Sequence, residues 1–380
     1  MALEFLEEHA DFRNMLRKFG ERELEPLAEE IDRTGVIPDI AIEKLRKQGL
    51  LGLRIDPKFG GAGASFTQYC IAQEEICRVH RAFMLMLDFS SGMAATALQN
   101  YGTPEQQAKY VRGVAEGRMK VGFGLTEPTA GSDPAGMRTK AVRVDGGWLL
   151  NGQKQFISEA HVADAVVIMA VTDPVKRARG GVTSLIVDTK TPGFQVTRLE
   201  GTMGSEVVKL SEITMTDCFV PDSMVLGEVG GGFKLAMSSL VYGRLGIAAC
   251  SLGVADRLIN MSIEHAKNRE TFGQKLSERQ AIQWMLVDSA TELMAARAMT
   301  YETLRQLEEG REVGSAASMC KVFATEMVGR VADRAVQVHG AMGVVRGYKV
   351  ERFFRDVRHW RVGEGTSEVQ RILIARELFK

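Results

Sequence analysis

Three patterns of hydrophobic and polar positions follow one another along the chain. From residue 1 to about 120, apolar residues recur every three or four positions: Phe12, Leu16 and Phe19, then Leu24, Leu27 and Ile31. Ile42 and Leu45 mark a shorter helix that stops at Gly49. Thr103-Pro104-Glu105-Gln106 predicts a helix start, with a cap, a proline in the first turn and a Gln at the capping-box position. From 121 to about 230 the period shortens to two. Val142 and Val144 alternate with polar residues, and Asp145-Gly146-Gly147 turns into Trp148-Leu149-Leu150, a hairpin signal. Short strand-like runs at 165–169, 184–187, 194–197 and 212–215 are separated by Gly, Pro and Asp. That spacing predicts a compact antiparallel barrel or sandwich, not βαβ units. From 231 to 380 long helices return. Gly230-Gly231-Gly232 precedes a run from 233 to about 268, and Ser277-x-x-Gln280 predicts a capping box opening a second run to about 309. Helices of this length pack antiparallel in bundles, often across a subunit interface. The expected architecture is α+β multidomain: an N-terminal helical domain (1–120), a middle antiparallel β-barrel-like domain (121–230) and a C-terminal long-helix bundle (231–380).

Two stretches break the local pattern. In RVGEGTSEVQRILIARELF (361–379) a glycine-flanked loop becomes a helix. Ser367 followed by Gln370 predicts a capping box, and Val369, Ile372, Leu373 and Arg376 lie at helical spacing. Glu364 sits between Gly363 and Gly365, so its own chain leaves the carboxylate uncovered, as a general base requires. From the residues alone the plainer reading prevails, a loop carboxylate favoured by a helix N-terminus. The second stretch is 83–89, where Asp88 interrupts an apolar run. A carboxylate on a buried helix needs a partner or a raised pKa. It pairs with an Arg or a backbone amide, or it faces a ligand.

Composition removes several functional classes. The chain has 380 residues, 48 basic and 48 acidic, so nothing points to a nucleic acid or another polyanion. Cys70, Cys77, Cys218, Cys250 and Cys320 are odd in number and lack a CxxC, which predicts small core residues in a reducing compartment. The first twelve residues are acidic, without a signal h-region or an Arg-rich presequence. The expected location is cytoplasmic, with a processed mitochondrial matrix form as the alternative. No run of eighteen apolar residues occurs, so no membrane is expected. Gly60-Gly61-Ala62-Gly63 lacks a following P-loop Lys and reads as a turn. There is no Rossmann glycine motif in strand–helix context, no His/Cys cluster at metal spacing and no nucleophile elbow. No metal is expected, and a dinucleotide would need another device.

Such a device is supplied by a resemblance. Phe123-Gly124-Leu125-Thr126-Glu127-Pro128-Thr129-Ala130-Gly131-Ser132-Asp133 resembles the first signature of the acyl-CoA dehydrogenase family, Thr-Glu-Pro-x-Ala-Gly-Ser-Asp. Glu364-Gly365-Thr366 resembles its last, and the resemblance covers essentially the whole chain. It implies FAD, an acyl-CoA substrate and α,β-dehydrogenation to the trans-2-enoyl-CoA, Glu364 taking the α-proton while the β-hydride passes to flavin N5. Phe123, Leu125 and Thr126 would then line the isoalloxazine, and Ser132 would contact flavin phosphate or substrate. The stretch from Asn151 resembles the strand beside the ring, with Phe156 near the ring and Ser158 hydrogen-bonding around N5. Arg269-Glu270-Thr271-Phe272-Gly273 resembles the motif that reaches the FAD of a neighbouring subunit, an Arg fork suiting a pyrophosphate. Gln280, Gln337 and Gly340 would meet the ADP part, and Thr366 and Glu368 would touch FAD. Arg244, Gly365 and Ser132 would position substrate.

The chain also departs from the family pattern. Thr129 and Ala341 replace glycines, and Val241 stands where the family commonly has an Asp contacting CoA. Gly243 occupies the position that carries the base in a minority of the family, which assigns the base to Glu364. His339 reads as a packed histidine. By the resemblance Asp88 borders the acyl cavity, which leaves it either partnered or recognising, even deprotonating, a polar or cyclic acyl group. Substrate binding desolvates Glu364 and raises its pKa while the helix N-terminus lowers it, so the sign of the shift stays open. The implied partners are an electron-transferring flavoprotein and three further copies in a homotetramer, a dimer of dimers. The rival readings are an acyl-CoA oxidase, an enoyl-CoA reductase and a non-catalytic helical binding protein.

Overall fold

The computed structural model describes Glu7, residues 9–204 (Ser90 by its backbone) and residues 206–380. Most of the acidic N-terminal stretch noted above, residues 1–6 and Glu8, therefore lies outside the described residues. Helix α1 (Ala10–Phe19) passes through a π-helical turn (Gly20–Leu24) directly into α2 (Glu25–Thr34). The two predicted stripes are one rod that buries Leu16, Leu24, Ala28 and Ile31. Pro26 cannot donate a helical hydrogen bond, and the wider turn just before it accommodates the loss. After α3 (Asp39–Lys47), Gly49 takes φ +73° and ends the helix. Helices α4 (Phe66–Cys77), α5 (Arg81–Ser91) and α6 (Met93–Tyr101) follow. The helical stretch α7 runs on through Pro104–Gln106, a π turn (Gln107–Val111) and Arg112–Ala115. The Thr103–Gln106 capping box forms as expected, and a second one, Ser65–Gln68, opens α4. All five cysteines are free and buried.

The strands are β1 (Val121–Gly124), β2 (Lys140–Val144), β3 (Gly147–Ser158), β4 (Ala165–Val171), β5 (Val182–Asp188), β6 (Phe194–Gly201), β7 (Lys209–Pro221) and β8 (Val225–Leu226). They form one sheet in the order β6-β7-β3-β2-β4-β5-β8, with β1 beside β4. The sheet is not purely antiparallel: β1 and β2 both pair β4 in parallel. Every residue of β4 is buried. Its odd-numbered residues Ala165, Val167 and Met169 face a core shared with α6, α7 and the start of the long helix below. Its even-numbered residues Val166, Ile168 and Ala170 fill the interior of the β domain. A strand covered on both faces reads as a continuous apolar run, which explains why 165–169 showed no alternation.

The bundle consists of α8 (Gly232–Asn268), α9 (Gln280–Glu308), α10 (Gly314–His339), α11 (Lys349–Arg358) and α12 (Ser367–Leu378). A small hairpin, β9 (Glu270–Thr271) and β10 (Gln274–Lys275), links α8 to α9. Two predicted caps are corrected. Helix α9 begins at Gln280, and Ser277 lies in a preceding 3-10 turn, so no Ser277–Gln280 box forms. Helix α12 is capped by Thr366, whose hydroxyl accepts from the Val369 amide, while the Ser367 hydroxyl donates to Glu326 at 2.7 Å. By length and composition α8 would suffice to cross a membrane, but 67% of its most apolar window is buried in the protein.

Where α8 crosses α4 the backbones nearly touch. A Cβ added to Gly253 would stand 1.9 Å from the Glu74 carbonyl oxygen. Gly253→Ala must push the helices apart. We expect a loss of about 1–3 kcal/mol, the usual cost of overpacking, read as a lowered thermal midpoint. An unchanged midpoint would contradict the close approach.

Candidate active site

The Glu364 loop is held from behind by two helices. Gln370 donates to the carbonyls of Glu364 and Gly365, both at 3.0 Å, and Lys321 of α10 donates to the Gly365 carbonyl at 2.8 Å. Glu364 takes φ +57° and Gly365 φ +91°. Among the described residues six non-glycines have positive φ, and three of them, Phe156, Phe272 and Glu364, are residues singled out in the sequence. Backbone held in that region is disfavoured and persists where the surroundings impose it, often at sites of function.

This geometry turns the Glu364 side chain toward α8. A Cβ on Gly243 would stand 2.7 Å from Glu364 Oε2 and 3.3 Å from the sulfur of Met93. Gly243 is thus the space the carboxylate occupies. Oε2 is buried and has no hydrogen-bond partner. Burial is the main force pushing the Glu364 carboxyl up to about 7, and the nearby Asp88 adds to it, while Arg244 and Lys321 act in the opposite direction. The sign that the sequence left open is therefore upward. Arg244 is buried on α8, next to Gly243, with its Nε unpartnered. Burial also pushes the Lys321 ammonium down to about 8. Among the described residues Asp88 pairs with neither an Arg nor a backbone amide through its side chain: the Tyr69 hydroxyl of α4 donates to its Oδ1 at 3.3 Å, and burial raises it to about 6. Val241 packs on the helical core.

The loop after β1 carries the next group of predicted residues. Phe123 and Leu125 are half-buried, and the Thr126 carbonyl accepts from the Gln155 amide at 2.9 Å, tying this loop to β3. Its anchor is a residue the sequence reading passed over. Lys154, fully buried, donates to the Leu125 carbonyl at 3.1 Å and to Glu127 Oε1 at 2.8 Å. Glu127 also accepts from the amides of Arg138 (2.6 Å) and Thr139 (3.0 Å). Beyond Lys154, β3 slips register, and Phe156 takes φ +59° with 52% of its surface exposed. Ser158 is half-buried at the end of β3, and Ser132 is exposed. An exposed ring on a fixed, strained strand position is a platform left open, which fits a planar aromatic cofactor better than a closed core.

The remaining residues gather at the far end of the bundle. Arg269, Thr271 and Phe272 lie in the β9–β10 hairpin and Gln280 opens α9. Phe272 is 98% exposed, with the Arg279 guanidinium 5.7 Å from its ring centre. Gln337 and Gly340 are exposed at the end of α10. The two groups are joined by the stacked rings of His265 and His339, 4.5 Å apart, and His339 also engages the Ala335 carbonyl at 2.8 Å, so it is a packing residue. Arg244 and Arg269 are 25 residues apart along and just past one helix, or roughly 37 Å at 1.5 Å per residue. Thr366 and Glu368 stay with Glu364, Glu368 exposed and its carboxyl lowered at the start of α12. Lys321, Lys154, Glu127 and Tyr69 are the site residues that sequence reasoning missed.

Comparison with known proteins covers the whole chain. Family profiles match the acyl-CoA dehydrogenase N-terminal domain at residues 6–118, its middle domain at 122–218 and its C-terminal domain at 230–379. A caffeyl-CoA reductase–Etf complex subunit of Acetobacterium woodii is 38% identical, with 99% of each chain covered. An acyl-CoA dehydrogenase of Bacillus subtilis is 36% identical over 98% of each chain. The structure of butyryl-CoA dehydrogenase from Megasphaera elsdenii superposes with a TM-score of 0.92 at 33% identity, covering 98% of both chains.

Proposed function

Because the chain belongs to the acyl-CoA dehydrogenase family, an FAD-dependent family of oxidoreductases, we propose that it interconverts an acyl-CoA thioester and its trans-2-enoyl-CoA, with Glu364 moving the α-proton. The carrying observation is the Glu364 carboxylate itself: buried, without a partner at Oε2, and given its space by Gly243. Phe123, Leu125, Thr126, Phe156 and Ser158 on one side and Thr366 and Glu368 on the other would hold the FAD ring. When bound, FAD would supply the acceptor for the hydride leaving the β-carbon. The protein's own part is to exclude water, to fix the acyl chain between Phe156 and the Glu364 loop, and to present a base. Arg244, unpartnered at Nε beside the base, would position the thioester.

A carboxyl near 7 is suited to both directions, since it is half ionised at neutral pH. Dehydrogenation needs the anion. Its kcat/KM should therefore rise with pH through about 7, and enoyl-CoA reduction should fall through the same range. Stopped-flow pH profiles in both directions check this, and profiles flat from pH 5 to 9 would contradict it. The reductase direction is kept as a second reading because a relative bears that name. Anaerobic titration with acyl-CoAs and enoyl-CoAs, watching the visible flavin band, decides which direction and which acyl class the site prefers. Bleaching by no acyl-CoA would count against the dehydrogenase reading.

The electron partner we propose is an electron-transferring flavoprotein, a reading supported by the complex named for the Acetobacterium woodii relative. The assembly we propose is a homotetramer. In it Arg269, Thr271, Phe272, Gln280, Gln337 and Gly340 would serve the ADP part of a neighbour's FAD, a reading supported by the place of Arg269 just past the end of α8, far along that helix from Arg244. Sedimentation of the holoprotein tests the assembly.

A further inference from the structure

Several enclosed arginines of this protein meet a carboxylate: Arg13 and Arg297 meet Glu74, Arg78 meets Glu75, and Arg352 meets Asp32. Arg54 has no ion-pair partner among the described residues, and burial pushes its guanidinium below the ordinary value with no carboxylate acting on it. It stands in a turn closed by the Ile55 amide on the Gly52 carbonyl at 2.9 Å, between the buried Leu53 and Ile55. Three aromatic rings surround the guanidinium carbon, with centres 4.7 Å (Phe66), 5.0 Å (Tyr242) and 5.8 Å (Tyr69) away. Nη1 donates to Thr96 Oγ1 at 2.8 Å and to the Ser91 carbonyl at 3.4 Å. Nε and Nη2 have no partner among the described residues, and they are not among the nitrogens sealed from solvent.

The surroundings of Arg54 lead to the base. Tyr242 directly precedes Gly243, whose Cβ position is 2.7 Å from Glu364 Oε2 and 3.3 Å from the Met93 sulfur. Ser91 and Thr96, which hold Nη1, flank Met93 along the chain. Tyr69, Leu87 and Leu245 around them are buried, whereas Arg54, Asp88, Met93, Tyr242, Gly243 and Glu364 keep part of their surface accessible. Accessible surface on adjoining residues inside a helical domain marks a cleft, and this one passes from Glu364 by Gly243 and Tyr242 to Arg54.

We propose that Arg54 determines specificity: its free Nε–Nη2 edge receives a carboxylate at the far end of the acyl group, so that the site takes the CoA thioester of a dicarboxylic acid. The proposal rests on the acyl-CoA reading of the site. The rings cover the faces of the guanidinium and Thr96 and Ser91 take up Nη1, so a ligand can approach only in the plane, along the remaining edge. That edge offers two parallel donors, the geometry a carboxylate accepts bidentately. The rings offset part of the cost of enclosing the charge, and a carboxylate would supply the missing counter-charge. A plain alkyl chain reaching the same point would leave both donors unmet, which costs binding. Asp88 does not occupy the edge: it meets the Tyr69 hydroxyl, whereas Arg54 meets the Tyr69 ring.

The test uses the FAD-loaded protein and thioesters matched in chain length: succinyl-CoA against butyryl-CoA, glutaryl-CoA against valeryl-CoA, and adipyl-CoA against hexanoyl-CoA. Anaerobic flavin reduction gives kcat/KM for each, and titration of the visible flavin spectrum in Glu364→Gln gives affinity without turnover. At least one dicarboxylic thioester should be preferred over its match by about 10²-fold or more in both readouts, the range for an enclosed, hydrogen-bonded charge pair. Arg54→Met should abolish that preference. Arg54→Lys should keep only part of it, because an ammonium retains the charge but not the fork. Equal use of both members of every pair would overturn the Arg54 site and leave the acyl-CoA reading standing. Binding of none of these, nor of any other acyl- or enoyl-CoA, would overturn that reading and the site with it. Free glutarate displacing glutaryl-CoA at similar concentration would assign the edge to a free anion and overturn its role in acyl selection. The matched pairs are compared in the unaltered protein, so they decide even if Arg54→Met does not fold.

Discussion

Glu364→Gln keeps its FAD and loses turnover by about 10²–10⁴-fold, the range for removal of a positioned general base. Retention of cofactor follows from geometry. The loop is held by backbone carbonyls that accept from Gln370 and Lys321, and neither bond uses the Glu364 side chain. Glutamine is isosteric with glutamate, so the space over Gly243 stays filled. What disappears is the proton acceptor. The acidic limb of the pH profile, placed near 7 by the buried carboxyl, should disappear with it. Measuring kcat, the pH profile and the flavin content of the same preparation separates this from misfolding. A variant that is colourless as well as inactive would show that the side chain matters to the fold, and one that turns over normally would remove Glu364 from the chemistry.

The second large effect lies outside the chemistry. Lys154→Met leaves Glu127 charged, with only 4% of its surface exposed, supported by the amides of Arg138 and Thr139 alone. Removing one member of a buried pair strands the other, at a cost of about 3–5 kcal/mol. The loop from Leu125 to Glu127 loses its anchor at the same time, so thermal stability and FAD retention should fall together. Adding Glu127→Gln to Lys154→Met should restore part of the stability, because no lone charge remains. If the double variant is less stable than the single one by the full sum, the pair is not the anchor described.

These two residues also mark how far the sequence could be read. The exposed setting of Glu364 was legible because its signal is local, a carboxylate between glycines before a helix, while its role as a base was suggested by the resemblance of Glu364-Gly365-Thr366 to a family signature. Asp88 was legible as an interruption, but its partner was not, since Tyr69 comes from another helix. Lys154 offered a usable sign. It shares the parity of Trp148 and Leu150, the buried face of β3, so alternation placed a charge inside. The register slip after Lys154 then reverses the parity, burying Ile157 and exposing Phe156, which alternation does not anticipate. Lys321 gave no sign at all. On a long mixed helix it reads as a solvated charge, and only the return of the chain 44 residues later gives it the Gly365 carbonyl. The caps failed by small margins for a similar reason. Thr366 and Ser367 are adjacent hydroxyls, and a distant glutamate, Glu326, takes one of them. The parallel pairing of β1 with β4 likewise depends on where the helical region hands over the chain.

Glu364 adopts a backbone conformation that glycine tolerates far better. A library of this chain screened for heat resistance alone would tend to select Gly at 364, and so enrich variants that no longer have a base. Directed evolution here needs turnover in every round, because natural drift toward robustness and retention of catalysis push this codon in opposite directions.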